Sequence, residues 1–436
     1  MNNSKQTFIT AFALFSLFFG AGNLILPPFL GYNAGENWIW VSLGFAISAV
    51  VIPILAIYGY ARLQGTMLDF AKKVSPGFAL LYSALVYIIS ITLPSPRTAS
   101  VTYEMAVQPY FEISSFTISL AYFSLVLVFV LNRSKILNLI GKYLTPLIII
   151  ILLSIIGIGV FSDLAPIQAS IFENSFTEGI LEGYQTFDAI GGVVVGGVIV
   201  ISLALRGTYT YEEKKSIIAK SGLIAGIGLF LIYAGLIALG AVNSGSLDVD
   251  NRTQLLSMLS ADSLGSVGTA FLAVLVSLAC FTTAVGIVTG VADFVKGIAS
   301  NSQIAYKITA VLGCTLGVAI GQFDVHYIID IAVPALMFIY PITIVLILLN
   351  VVPERYGSQF VFRAVAMVTL LFSIPDFLQF FASEEIVANI KDFIPFSQFS
   401  LGWVMPAFVT FVFINLFELN KKNPTQRPFK TPYRNN

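Results

Sequence analysis

The sequence predicts an all-α polytopic membrane protein with twelve transmembrane helices. Three observations predict it. Of 436 residues, 57% are hydrophobic and 11% charged, with a mean hydropathy of +0.88; a soluble domain carries about 25% charged residues. Twelve apolar stretches can each cross a hydrocarbon core of about 30 Å. Lys and Arg then fall almost entirely on one side of the membrane.

The stretches lie near 8–30, 38–60, 78–106, 116–131, 143–161, 183–205, 217–241, 267–295, 304–320, 327–349, 361–382 and 401–417. The first has Lys5 alone ahead of it and ends in Pro27-Pro28 without a small-residue cleavage site, so it reads as a retained span. The third and eighth are long, which predicts tilt or an extramembrane turn. With the N-terminus in the cytoplasm, the inner segments carry 20 of the 23 Lys and Arg. The outer loops carry Arg252 and Lys391, and Arg97 lies inside the third span. That asymmetry places both termini in the cytoplasm. Segments 162–182 and 242–266 are long enough for short surface helices. The tail 420–436 is basic, proline-bearing and expected to be disordered.

Composition excludes several classes. Net charge is zero, which offers no basic face for nucleic acid. Cys280 and Cys314 sit in apolar runs and read as core thiols. His326 is the single histidine, which excludes a histidine-built metal site. No G-x-x-x-x-G-K-[ST], H-E-x-x-H or G-x-S-x-G motif is present. The chain reads as a non-enzyme that calls for no cofactor.

Two spans carry helix-breaking residues. The first contains Gly20-Ala21-Gly22-Asn23 and then Pro27-Pro28. Glycine weakens a helix, and each proline leaves a carbonyl one turn earlier without a partner. The sixth contains Gly183-Tyr184-Gln185-Thr186-Phe187-Asp188, then Gly191-Gly192. An aspartate at that depth is costly unless paired or wetted. Each segment alone is also compatible with close packing, and Gly192-x-x-x-Gly196 fits that rule. Interrupted helices five spans apart point instead to an inverted-repeat transporter with its site between them. Half-helix N-termini offer N–H groups to an anion, and unwound carbonyls accept a cation. An amino acid carries both charges.

These residues resemble the branched-chain amino acid:cation symporters, the bacterial system II carriers for leucine, isoleucine and valine. The resembling segments are Phe19-Gly20-Ala21-Gly22-Asn23 with Pro27-Pro28; Pro96-Arg97-Thr98-Ala99 with Glu104; Gly183-Tyr184 with Asp188 and Gly191; Ala279-Cys280 with Thr283-Ala284-Val285-Gly286; Val333-Pro334 with Tyr340-Pro341; and Trp403-Val404-Met405-Pro406. They run from the first span to the last. The sequence departs from the family pattern at Ser90 and Ile91, where the family has Gly-Pro; here Pro94 follows.

The resemblance implies a LeuT-type fold of 5+5 inverted repeats: 1–161 and 162–350, with 351–419 peripheral and 420–436 a tail. It implies sodium-coupled uptake across the cytoplasmic membrane. Sodium ligands would come from the Ala279 carbonyl, the Thr282 and Thr283 hydroxyls, and carbonyls near Ser16 and Phe19. The substrate carboxylate would meet the N–H groups of Ala21, Gly22 and Asn23, and the amine the carbonyls near Phe18 and Phe187, with Gly191 beside them. Asp188 either assists the amine or caps the second half of its span. Its presence keeps a proton-coupled carrier, or a carrier of another neutral amino acid, as the alternative reading. Arg97 either counters a carboxylate in the pathway or pairs with Glu104 two helical turns along, and the second is favoured. His326 is expected at the surface, and Tyr340-Pro341 is expected to kink the tenth span.

Overall fold

The computed structural model describes residues 3–132, 140–160, 166–204, 209–247, 249, 251–383, 387 and 390–422. Arg133, Lys135, Arg206 and the basic tail beyond Lys422 lie outside the described residues. The described residues are helical throughout the core. Eight helices are long and apolar enough to cross a membrane, and a bent pair makes a ninth.

α1 (Asn3–Phe18) is followed by α2 (Ala21–Ala34). The continuous run Ala21–Leu63 has 43 residues, about 65 Å at 1.5 Å per residue, twice the apolar thickness of a membrane. Gly35, at φ +47 and ψ −122, turns the chain between α2 and α3 (residues 38–63). α3 contains a π-turn at Ile47–Val51. A short α4 (Met67–Ala71) is held by a Thr66 cap.

The long third span is two helices, α5 (Pro76–Thr92) and α6 (Pro94–Thr102), the latter continuing into a π-turn, Tyr103–Val107. The joint falls at Leu93, before Pro94, because a residue preceding proline is pushed out of regular helix.

α7 (Ser115–Leu131) and α8 (Thr145–Val160) follow. α9 (Ser175–Tyr184) and α10 (Asp188–Ala204) meet at a bend of 42°. α11 (Tyr211–Val242) starts from a Thr210–Glu213 capping box. α12 (Arg252–Ile298) is broken at Gly265, φ +59 and ψ −143. Its first part lies within the segment 242–266, where a short surface helix is expected, and buries Leu255, Leu256 and Leu259. α13 (Gln303–Ile320), α14 (Val325–Val351), α15 (Gln359–Leu378) and α16 (Val404–Lys422) complete the chain. α16 runs three residues into the segment expected to be a disordered tail.

One expectation about proline is corrected: α2 passes through Pro27-Pro28, and the first span breaks before them, at Phe19-Gly20. α14 carries Pro334 and Pro341 inside one helix. Pro27, Pro28 and Pro341 are buried in protein and Pro334 is half-buried; within a membrane, neighbouring helices can satisfy the carbonyls such prolines free.

Small residues set the packing around the breaks. A β-carbon on Gly31 or Gly240 would collide with the backbone of Ile237 or Pro28, so α2 lies backbone to backbone on α11. Gly192 and Gly196 face Pro53 and Tyr60 of α3, which is the packing role their spacing suggested. Ile88, Leu231 and Phe413 point outward, as lipid-facing residues do.

Candidate functional site

Both interruptions open on one small cavity at the centre of the bundle. It holds about 40 Å³ and is walled by Phe18, Ala21, Gly22, Asn23, Arg97, Phe187, Asp188, Gly191 and Thr283, among others. That is room for a few waters. Larger cavities lie at opposite ends of the bundle. One of about 560 Å³ lies beside Gln185, Arg252 and Asp324. The other, about 270 Å³, lies beside Thr66, Asp293 and Asn301.

At the first break, Phe19 N–H still donates to Phe15, but Gly20 N–H turns to the Asn23 side chain at 3.4 Å. Leu24 is the first residue of α2 whose N–H finds a helical acceptor, the Gly20 carbonyl. The N–H groups of Ala21, Gly22 and Asn23 meet no acceptor among the described residues. They line the cavity together, as an anion-binding helix start does.

At the second break, Phe187 adopts φ +65, a conformation a bulky side chain rarely holds. Its carbonyl accepts from Gly191 at 2.7 Å, which starts α10. Gly191 faces the cavity, with the Phe18 ring 3.8 Å from where a β-carbon would stand.

Asp188 is 3% exposed, and among the described residues its carboxyl accepts no N–H from the start of α10. The Thr186 hydroxyl accepts its N–H at 3.2 Å, and the Tyr340 hydroxyl accepts that of Ala189 at 3.3 Å. The Asp188 carboxyl instead crosses to the other break. It accepts from the Asn23 amide at 2.5 Å and from the Tyr233 hydroxyl at 3.2 Å. Asn23 also donates to Tyr233. Phe19 and Phe45 pack on the Tyr233 ring at 6.0 and 5.3 Å.

The residues of the eighth span come together with the end of α1. The Thr282 hydroxyl lies 2.9 Å from the Ser16 carbonyl, 3.0 Å from the Ala279 carbonyl and 3.0 Å from the Ser16 hydroxyl that donates to it. Ser16 needs that donor, because Gly20 N–H has left its helical place. The Thr283 hydroxyl oxygen is buried with no hydrogen-bond partner among the described residues and faces Gly20. The Ser16, Ala279 and Thr282 oxygens thus lie together, with the unused Thr283 hydroxyl on the next residue facing Gly20, chemistry that suits a hard cation. Phe19, also proposed from sequence, is fully buried and stacks on Phe15 and Tyr233.

Arg97 and Glu104 do not pair, which corrects the favoured sequence reading. Residues seven apart on a helix lie about 10.5 Å apart along its axis, and each finds a nearer partner across a helix interface. The Glu104 carboxylate accepts from Val325 N–H at 2.8 Å, at the start of α14. Arg97 reaches the break in the sixth span: Nη1 donates to the Gln185 carbonyl at 3.0 Å, and the guanidinium lies 5.1 Å from the Phe187 ring centre. His326 is at the surface beside Asp330.

Sequence reasoning missed two parts of the site. Tyr233 sits in an apolar run of α11, where its hydroxyl is the only polar signal. Glu182 and Arg252 form an ion pair at 3.0 Å, and Arg252 also donates to the Gln185 side chain at 2.9 Å. With Arg97 on the Gln185 carbonyl, this layer separates the cavity from the larger one at that end.

A family model described as "Branched-chain amino acid transport protein" matches residues 3–421. The branched-chain amino acid transport system 2 carrier protein of Pseudomonas aeruginosa is 32% identical over 410 residues, covering 92% of this chain and 93% of that protein. The branched-chain amino acid permease BraB of Bacillus subtilis is 32% identical over 419 residues, covering 93% and 94%. Among solved structures, Mhp1, a nucleobase-cation-symport-1 family transporter in a closed conformation, superposes with a TM-score of 0.56 at 10% identity, covering 96% of this chain and 93% of that one. At that identity the likeness is one of fold, the LeuT-type fold of multi-pass transporters.

Proposed function

The chain belongs to the branched-chain amino acid transport protein family, and from that premise we propose that it couples the uptake of leucine, isoleucine and valine to sodium by alternating access. The observation that carries the sodium reading is the buried, partnerless Thr283 hydroxyl beside the Ser16–Thr282–Ala279 cluster. Sodium between these oxygens would tie α12 to the end of α1, so its binding and the position of the broken helix depend on each other. The free N–H groups that begin α2 suit the substrate carboxylate. The Phe18 carbonyl and Asp188 suit the amine. Ile190, Val194 and Ile287 offer an apolar wall for the side chain. Such a wall separates aliphatic side chains weakly, since one methylene is worth about 1–3 kcal/mol.

The same reading counts twelve spans, taking α1 with α2 and α9 with α10 as the first and sixth. Residues 1–161 and 162–350 then form the two inverted repeats, with both termini in the cytoplasm and α15 and α16 peripheral. The breaks at corresponding places in the two halves support it. Exchange between the two end cavities, through the small central one, is the motion this arrangement suits.

Uptake of labelled leucine into liposomes tests the proposal, with an inward sodium gradient, with choline in its place, and with a pH gradient alone. Sodium-dependent accumulation is the expected result. Accumulation driven by pH and indifferent to sodium would assign the coupling to protons.

A further inference from the structure

We propose that Arg97 holds the substrate carboxylate, so that the carrier selects amino acids with a free α-carboxylate; this rests on the reading of the central cavity as the amino-acid site. Arg97 is 2% exposed and its guanidinium lines the cavity. Guanidinium carries five N–H donors in a planar fork. One reaches the Gln185 carbonyl, while Nε is buried without a partner. No carboxylate forms an ion pair with Arg97 among the described residues. A buried cation left in that state is costly, which points to a partner that arrives from outside the chain.

The position of the fork identifies that partner. Nη2 lies 2.5 Å, and Cζ 3.2 Å, from where a β-carbon on Gly22 would stand. Arg97 therefore lies directly against the start of α2, where the N–H groups of Ala21, Gly22 and Asn23 are free. Full charge and helix-start N–H groups converge on one place, and a carboxylate is the anion that takes both at once. Asp188 lines the same cavity but is engaged by Asn23 and Tyr233 rather than by Arg97. A zwitterion placed between them sets its carboxylate on Arg97 and its ammonium towards Asp188. A β-carbon on Gly22 would displace the guanidinium tip from the start of α2.

Equilibrium dialysis of the purified full chain in saturating sodium tests this with labelled L-leucine and L-leucinamide, which keeps the amine and side chain but has no carboxylate. The wild type is expected to bind leucine about 100-fold more tightly than leucinamide. Arg97→Gln is expected to weaken leucine by about that factor and leave leucinamide unchanged, and Arg97→Lys, which keeps charge but not the fork, to fall between. Equal wild-type affinity for the two ligands overturns the proposal, and that comparison needs no variant to fold. Arg97→Gln binding leucine as the wild type does, or losing both ligands equally, also overturns it. A wild type that binds no branched-chain amino acid would instead overturn the functional reading beneath it.

Discussion

The Thr283 hydroxyl oxygen stands 2.6 Å from the position a β-carbon on Gly20 would occupy. Gly20 itself has φ −120 and ψ −160, extended backbone open to any residue. Space, not backbone conformation, therefore demands glycine there. Gly20→Ala should push Thr283 away from the end of α1 and weaken sodium binding at least about tenfold, a change of about 1.4 kcal/mol. The sodium dependence of leucine uptake checks it: the half-saturating sodium concentration should rise while the protein still inserts and folds.

Thr282 and Thr283 should separate in stability. Thr282 bonds the Ser16 and Ala279 carbonyls, and Thr282→Val leaves the Ser16 carbonyl, which has lost its helical donor, without a partner. It should cost about 1–3 kcal/mol even without sodium. Thr283 has no partner to lose, so Thr283→Val should change sodium-free stability by less than about 0.5 kcal/mol. It should abolish the sodium-induced rise in melting temperature, which at sodium 100-fold above Kd corresponds to about 2.7 kcal/mol in the wild type. Thermal unfolding with and without sodium reads both. A sodium-induced rise that survives in Thr283→Val would remove that residue from the site.

Asp188 and Tyr233 should act on substrate rather than on coupling. The carboxyl is bonded to Asn23 at the start of α2 and to Tyr233. Asp188→Asn should raise the KM for leucine about tenfold or more and leave the sodium requirement in place. Tyr233→Phe should have a smaller effect of the same kind, about 1 kcal/mol for one hydrogen bond. Uptake by Asp188→Asn measured across pH and sodium concentration checks this. Loss of a pH-driven component in that variant would return the coupling role to Asp188.

The Glu182–Arg252 pair should hold one side of the site closed. Both side chains are partly buried, 15% and 24% exposed, and Gln185 links Arg252 to the layer over the cavity. Glu182→Gln keeps the size and removes the charge. It should speed labelling of a cysteine introduced at Thr186 by a membrane-impermeant maleimide several-fold. An unchanged labelling rate would show that the pair does not gate access.

The legible parts of this molecule were those where residue type alone disfavours helix. Gly20 and Gly22 mark the first break and Gly183 to Asp188 the second, and both breaks open where expected. Pro27-Pro28 misled, because a proline's cost depends on what surrounds the freed carbonyls, which a linear pattern does not contain. Arg97 and Glu104 misled for a related reason. Seven-residue spacing describes neighbours on one helix, whereas their partners, Gln185 in the break of the sixth span and Val325 at the start of α14, come from elsewhere in the chain. Tyr233 was hidden among apolar residues because its ring packs as they do and its hydroxyl alone enters the site. The glycines of α10 show both behaviours: Gly192 and Gly196 serve packing on α3, while Gly191 faces the cavity one position away.

Simultaneous measurement of radioactive sodium and labelled leucine entering the same liposomes tests the central claim most directly. The account predicts that leucine accelerates sodium entry, that sodium accelerates leucine entry, and that Thr283→Ala abolishes both effects together. Leucine entry with sodium flux unaltered by leucine would contradict it.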